Sequence, residues 1–305
     1  MNFIALKNLH LQRLWWALDS PALLALPLVT PYFIDAKHRR QIQEVLQALD
    51  ADGERIINSY FQKLGPMPMG RYFEQLFFFA IQHDSEYELL EENRQIFEGK
   101  ITRGELDLIL RNQRSGAIEH WEIALKFYLQ IQDDAQPKYM LGPSTRDNLG
   151  KKLEKLLGAQ IPLSQIEEIQ KDYPGIEPKL MVKGIFFYPW QQSWSLSEGA
   201  STNHLKGAWL SLDALTSFND SSGKWLLRKK PNWIGGLQLK DAKTLVSISE
   251  IKTLCQEAFS EEKGPQFISR FRLMDGIWEE ESYFFVCPNE WPEDSIEQEY
   301  RAYRV

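Results

Sequence analysis

Between Gly104 and Phe127 apolar and polar positions alternate with a period of two. In Glu119-His120-Trp121-Glu122-Ile123-Ala124-Leu125-Lys126-Phe127, one face carries Trp121, Ile123, Leu125 and Phe127, and the other carries His120, Glu122, Ala124 and Lys126. That spacing predicts a strand with one face in a core. Gly104-Glu105-Leu106-Asp107-Leu108-Ile109-Leu110 predicts a second strand, with Glu105, Asp107 and Ile109 on a shared face. Asn112, Ser115 and Gly116 supply turn residues between them. A hairpin then brings Asp107 toward Glu122 and Lys126.

The same pattern organises the rest of the chain. Residues 1 to about 64 repeat apolar positions at helical spacing (Leu6, Leu9, Leu14, Leu18; Ile42, Val45, Leu46, Leu49; Ile56, Ile57, Tyr60, Leu64), with prolines at 21, 27 and 31 breaking the run. After Gly65-Pro66-Met67-Pro68, the stretch Arg71–Ile81 reads as a helix that is apolar almost all round, with Glu74 inside it. A first strand is expected around Arg94–Phe97. A helix is expected after Leu141-Gly142-Pro143, with Ser144 as N-cap and Leu149, Leu153, Leu156 and Leu157 as its stripe. A short helix over Ser164–Lys171 leads to the buried strand Leu180–Tyr188, which Pro189 ends. Farther on, a helix over Leu245–Phe259 precedes a strand pair, Phe267–Leu273 and Glu281–Val286, around Asp275-Gly276.

At 305 residues, 43% hydrophobic and 25% charged, the chain is long enough for one large or two smaller cores. Its two cysteines, Cys255 and Cys287, make neither a disulfide framework nor a metal-type spacing, which fits a reducing compartment. The apolar run from Pro21 to Ile34 is short and holds three prolines, so it reads as neither a signal peptide nor a membrane span. The expected location is cytoplasmic, with no membrane partner. A net charge of −7 argues against a broad nucleic-acid footprint. Basic residues nevertheless cluster locally: Lys138, Arg146, Lys151, Lys152 and Lys155 form one candidate nucleic-acid-binding face, and Lys224–Lys230 forms a second patch containing Trp225. A solvated surface is the competing reading of both. The tryptophan-rich C-terminal part is open to base stacking or to ordinary core packing.

The chemistry suggested by these residues is that of a hard cation. Two carboxylates suit Mg²⁺, and a lysine beside the metal can position or deprotonate a water for attack on a phosphodiester. The competing reading of the same face is a solvated strand surface with an ion pair. Glu74, in its apolar helix, needs either a cation or a partner such as an arginine or a backbone amide. His120 lies on the candidate face but also reads as a surface strand residue. No phosphate-binding glycine loop and no G-x-S-x-G elbow is present.

At these residues the chain resembles the PD-(D/E)xK nuclease superfamily. Its core places a glutamate on a helix, a metal-binding aspartate on the next strand, and a carboxylate-x-lysine motif on the strand after that. Gly-Glu-Leu-Asp-Leu-Ile matches the aspartate strand, so the resemblance implies Asp107 as a metal ligand, Lys126 as the lysine and Glu74, 33 residues before Asp107, as the helical glutamate. The usual carboxylate position is Ala124 here; Glu122, one strand repeat earlier and about 7 Å along the strand, is the substitute ligand. The phrases Phe-Glu-Gln-Leu, Gly-Glu-Leu-Asp, His-Trp-Glu-Ile-Ala-Leu-Lys-Phe-Tyr-Leu and Leu-Gly-Pro further resemble an uncharacterised bacterial family, a domain of unknown function grouped with these nucleases.

The resemblance implies an α/β fold with a restriction-endonuclease-like mixed sheet flanked by helices. Its core spans residues 66–190, with a helical extension over 1–65 and an α+β region over 191–305. The expected function is a Mg²⁺-dependent (or Mn²⁺-dependent) nuclease acting on DNA or RNA, with Glu74, Asp107, Glu122 and Lys126 as its catalytic set. The alternative is an inactive nuclease-fold protein that binds nucleic acid or protein.

Overall fold

The computed structural model describes residues 6–292 except 28, 32, 33, 53, 221, 231, 262 and 263. In chain order the elements are α1 (Leu9–Asp19), β1 (Thr30–Pro31), α2 (Ala36–Asp52), α3 (Glu54–Leu64), α4 (Met69–Gln82), β2 (Tyr87–Glu98), β3 (Ile101–Asn112), β4 (Ile118–Gln130), β5 (Met140–Leu141) and α5 (Leu149–Lys155). A π-helical turn (Leu156–Gln160) and a 3₁₀ turn (Ile161–Gln165) follow. Then come α6 (Glu167–Asp172), β6 (Glu177–Pro189), β7 (Leu205–Ser211), α7 (Leu212–Ser217), β8 (Lys224–Arg228), β9 (Gln238–Leu239), α8 (Ile248–Ser260), β10 (Gln266–Met274) and β11 (Ile277–Cys287). The fold is α/β, with strands in mixed pairing and helices flanking them.

The chain forms two compact units. One comprises residues up to Lys126 together with Lys151–Gly184 and Gly199–His204; the other comprises Phe127–Gly150, Ile185–Glu198 and the chain from Leu205 onward.

In the first unit β2, β3 and β4 pair antiparallel, while β1 runs parallel to β6. β2 is longer than its expected core of Arg94–Phe97, because Glu88, Glu91 and Glu92 interrupt its apolar pattern. Charged side chains on a strand with one partner suit an edge. Helix α4 is as apolar as its sequence because it is covered on most sides: Tyr72, Phe73, Leu76, Phe77, Phe78, Phe79 and Ile81 are all buried. A second cluster sets Ile96, Leu106 and Ile109 against Leu163, Ile169 and Ile176, packing the 3₁₀ turn and α6 on the hairpin. Gly184 of β6, at φ +144°, lies so close to β4 that a Cβ there would stand 1.7 Å from the carbonyl oxygen of Lys126. Only glycine fits that approach.

In the second unit β6, β7 and β11 run parallel, and β11, β10 and β8 continue antiparallel. Asp275 and Gly276, at φ +48° and +82°, make the expected tight turn between β10 and β11. Trp225, Ile248, Ile251, Cys255, Ile268, Phe284 and Val286 form the core beneath α8. Arg228, expected in an exposed basic patch, is buried instead and pairs with buried Glu280, while also donating to the carbonyls of Asn232 and Ile234. Only Lys229 and Lys230 of that stretch are fully exposed. The expected helix start at Ser144 is also corrected. Thr145 takes φ +60° in a turn closed by Gly142, and the helix begins at Leu149.

Candidate functional site

The site lies in the first unit, where β3 and β4 part. Their register runs from Arg111↔Ile118 to Leu108↔Trp121. The turn joining them is an Asx turn: the Asn112 side chain accepts from the amides of Arg114 and Ser115, and Gly116 takes φ +77°. Beyond Leu108 the amide of Ile123 donates to Oδ2 of Asp107 at 2.7 Å. A side-chain carboxylate therefore serves β4 where a strand carbonyl otherwise would.

Asp107 is 8% exposed and Glu122 only 2%. Burial pushes the Asp107 carboxyl up to about 8, the negative charge of Glu122 adds to the rise, the Ile123 amide opposes it, and Glu74 and Glu105 contribute further upward. Burial likewise raises the Glu122 carboxyl, against the opposing charge of Lys152. Lys152 Nζ stands 3.4 Å from Glu122 Oε1 and 3.0 Å from Gln160 Oε1, and Gln160 Nε2 donates to the same Glu122 oxygen. Both donors thus fall on Oε1. Oε2 of Glu122 is buried and, among the described residues, has no hydrogen-bond partner. A buried carboxylate oxygen left in that state is costly unless a cation or donor reaches it.

Lys152 departs from its expected place on a solvated basic face. It is 8% exposed, and burial lowers its ammonium pKa, with the Lys126 charge acting in the same direction. The sequence held the signal for this, since Lys152 lies three residues after Leu149 and four before Leu156, both fully buried, and so shares their stripe. Gln160 was not among the expected site residues. It arrives through the π-helical turn Leu156–Gln160, directly ahead of the 3₁₀ turn Ile161–Gln165, whose second residue, Pro162, has no amide to donate.

The remaining expected residues are distributed as follows. Glu74 is paired with Arg71, Nη1 to Oε2 at 2.9 Å, with 28% of its side chain exposed, and its charge still acts on Asp107. Lys126 is half-buried on the strand that carries Glu122. His120, open to a surface reading, is fully buried, and burial lowers its imidazole to about 4, so the ring is neutral near pH 7. Lys151 and Lys155 are exposed in the first unit; Lys138 and Arg146 are exposed in the second. Of the tryptophans weighed as stacking platforms, Trp225 and Trp233 are buried. Exposed Trp194 already stacks on Tyr188 at 4.0 Å and carries the Lys206 ammonium over its ring.

Residues 12–287 match the family described as Domain of unknown function (DUF1853). The chain belongs to this family. No curated protein and no solved structure matches it.

For a divalent cation, this DUF1853 chain offers two adjoining carboxylates and one unpartnered oxygen. Among the described residues no group of three or more His, Cys, Asp or Glu side chains is placed to hold a metal ion. Mg²⁺ needs no such cage, because it keeps several waters and is commonly held by one or two carboxylates together with substrate phosphate. Asp107 and Glu122 meet that smallest set in number and in donor type. Among the described residues no helix is long and apolar enough to cross a membrane.

Proposed function

We propose that this protein is a metal-dependent nuclease that hydrolyses phosphodiesters in DNA or RNA, using Mg²⁺ or Mn²⁺. The observation that supports it most is the buried pair Asp107 and Glu122, with Glu122 Oε2 left without a partner beside a carboxyl whose charged form is disfavoured. A divalent cation bound by both acids would favour their charged forms against the cost of burial. A divalent ion supplies Lewis-acid polarisation of the phosphate and a more acidic water. Asp107 and Glu122 hold it. Asp107 is fixed by the Ile123 amide, and Lys126, on the Glu122 face of β4, orients the attacking water. Glu74, already held by Arg71, adds negative charge that favours the cation. The resemblance to PD-(D/E)xK enzymes, the bacterial origin implied by the resemblance to the uncharacterised family, and the cytoplasmic location read from the two cysteines belong to this reading.

A second reading, a binding module that retained such a fold without catalysis, draws on one observation. Glu122 Oε1 is already engaged by Lys152 and Gln160, so the residue has an internal partner. Manganese titration by calorimetry, run beside cleavage assays on single- and double-stranded DNA and RNA, decides between the two. The enzyme reading expects binding and cleavage, both lost in Asp107→Ala. A cation response unchanged in Asp107→Ala places the ion elsewhere and refutes it.

A further inference from the structure

Glu122 is not simply buried; it is held from one side. Both hydrogen-bond donors that reach it, Lys152 Nζ and Gln160 Nε2, converge on Oε1, and Gln160 Oε1 in turn accepts from Lys152 at 3.0 Å. The three side chains close a triangle that fixes the carboxylate and leaves buried Oε2 without a hydrogen-bond partner among the described residues. Gln160 is its neutral corner. It reaches Glu122 because the chain widens into a π-helical turn over Leu156–Gln160, and such widenings commonly mark functional positions.

We propose that Gln160 is a positioning residue: by holding Glu122 Oε1 and the Lys152 ammonium together, it presents Oε2 of Glu122 as a cation donor beside Asp107. This rests on the divalent-cation reading of the site and adds to it a part drawn from outside the two strands. Positioning of this kind differs from ligation. Gln160 spends its amide on the carboxylate and its carbonyl on the ammonium, so it touches the ion through neither.

Gln160 is the residue to test because it carries no charge, so replacing it leaves the site's charge unchanged. The full chain is titrated with Mn²⁺ by calorimetry, and the water-proton relaxation produced by the bound ion is recorded. Gln160→Met removes both hydrogen bonds at similar length. Gln160→Asn keeps the amide one methylene too short to reach, and serves if the first variant folds poorly. Each is compared with Gln165→Met, a neutral change in the adjoining 3₁₀ turn. At matched folded fraction, both Gln160 variants should bind Mn²⁺ about 10–100-fold more weakly, as losses of residues that orient metal ligands do. Relaxation per bound ion should rise as water replaces a released Glu122 oxygen, and Gln165→Met should match the parent. Parent-like affinity and relaxation in folded Gln160 variants overturn the positioning role while leaving the cation site standing. A folded parent that binds no Mn²⁺ overturns the cation reading, and the role of Gln160 with it.

Discussion

The amide of Ile123 donates to Oδ2 of Asp107 at 2.7 Å, so a buried carboxylate completes the backbone hydrogen bonding of β4 at the point where β3 parts from it. This bond holds Asp107 in a place where its charge is disfavoured. Burial and the Glu122 charge raise its carboxyl to about 8, from 3.8 in the unfolded chain. Because the folded value is the higher one, the contribution of this group is fully present below pH 3.8 and is lost as pH rises through 8.

Asp107→Asn keeps an oxygen for the Ile123 amide and cannot ionise. In metal-free buffer its stability relative to the parent should therefore increase between pH 5 and 8.5. Glu122, also raised, leaves the variant some slope of its own. Asp107→Ala should instead cost about 1–3 kcal/mol near pH 5 by leaving the amide without an acceptor. Urea midpoints across this range measure both. Parallel midpoint-versus-pH curves for the parent and Asp107→Asn would show that Asp107 is not perturbed in this way.

Lys183 supplies a pH dependence of opposite sign, away from the carboxylate pair. It is 2% exposed, and its ammonium donates to the carbonyls of Ser20 and Leu18 at the C-terminal end of α1. Burial lowers it to about 7 from 10.5, against the opposing charge of Asp19. With the folded value below the unfolded one, the unfolded chain binds more protons between pH 7 and 10.5, so stability rises with pH across that window. Lys183→Met should flatten the rise. Equal slopes for parent and variant between pH 7 and 10 would mean that Lys183 keeps an ordinary ammonium.

How far the sequence disclosed all this depended on the kind of signal each element carried. β4 was legible from its period of two, although Glu119–Ile123 proves buried on both faces, and α4 because its run of aromatic residues has few alternatives to burial. The β10–β11 turn was legible from Asp275-Gly276, two residues that accept positive φ. Asp107 and Glu122 were named from two strands that a hairpin brings together and from the resemblance to the nucleases, and both are buried in the first unit. The partners of Glu122 were harder to see. Lys152 reads as basic surface unless its place on the stripe of Leu149 and Leu156 is weighed above its charge. Gln160 meets Glu122 only through a π-helical turn, which no periodicity announces. His120 followed the polar face of an alternating strand and yet is fully buried, as is Glu122 on the same face, which Lys152 and Gln160 reach.

The exposed lysines of α5 carry a separate prediction. With Lys152 turned inward, Lys151 and Lys155 remain on the surface of the first unit. If they meet a phosphate backbone, nucleic-acid binding should be weak and strongly salt-dependent. Lys151→Glu combined with Lys155→Glu should abolish it, and each single change should lower the salt slope by about one unit. Fluorescence anisotropy with a labelled oligonucleotide at several salt concentrations measures this. Binding by the double variant equal to the parent at low salt would remove these lysines from the interface.

Ala124 offers the sharpest separation of an enzyme from a binding module. Glu122→Gln is a blunter tool, because Glu122 is the buried partner of Lys152 and not half of an exposed ion pair. Removing its charge strands a buried ammonium, a change that costs about 3–5 kcal/mol when a buried pair is broken outright. Loss of cleavage in that variant would therefore mix chemistry with folding. Ala124 is only half-buried and shares the strand face of Glu122 and Lys126, so a glutamate there adds a carboxylate to that face while the Glu122–Lys152 pair keeps both partners. It also restores the carboxylate-x-lysine spacing with Lys126. Folded Ala124→Glu should gain Mn²⁺-dependent cleavage of DNA or RNA, or exceed a parent that already cleaves, and Lys126→Met added to it should abolish the gain. If the folded variant and the parent are both silent on every nucleic acid with Mg²⁺ and Mn²⁺, the nuclease reading fails. The carboxylate pair would then be the buried polar centre of a protein that binds without cutting.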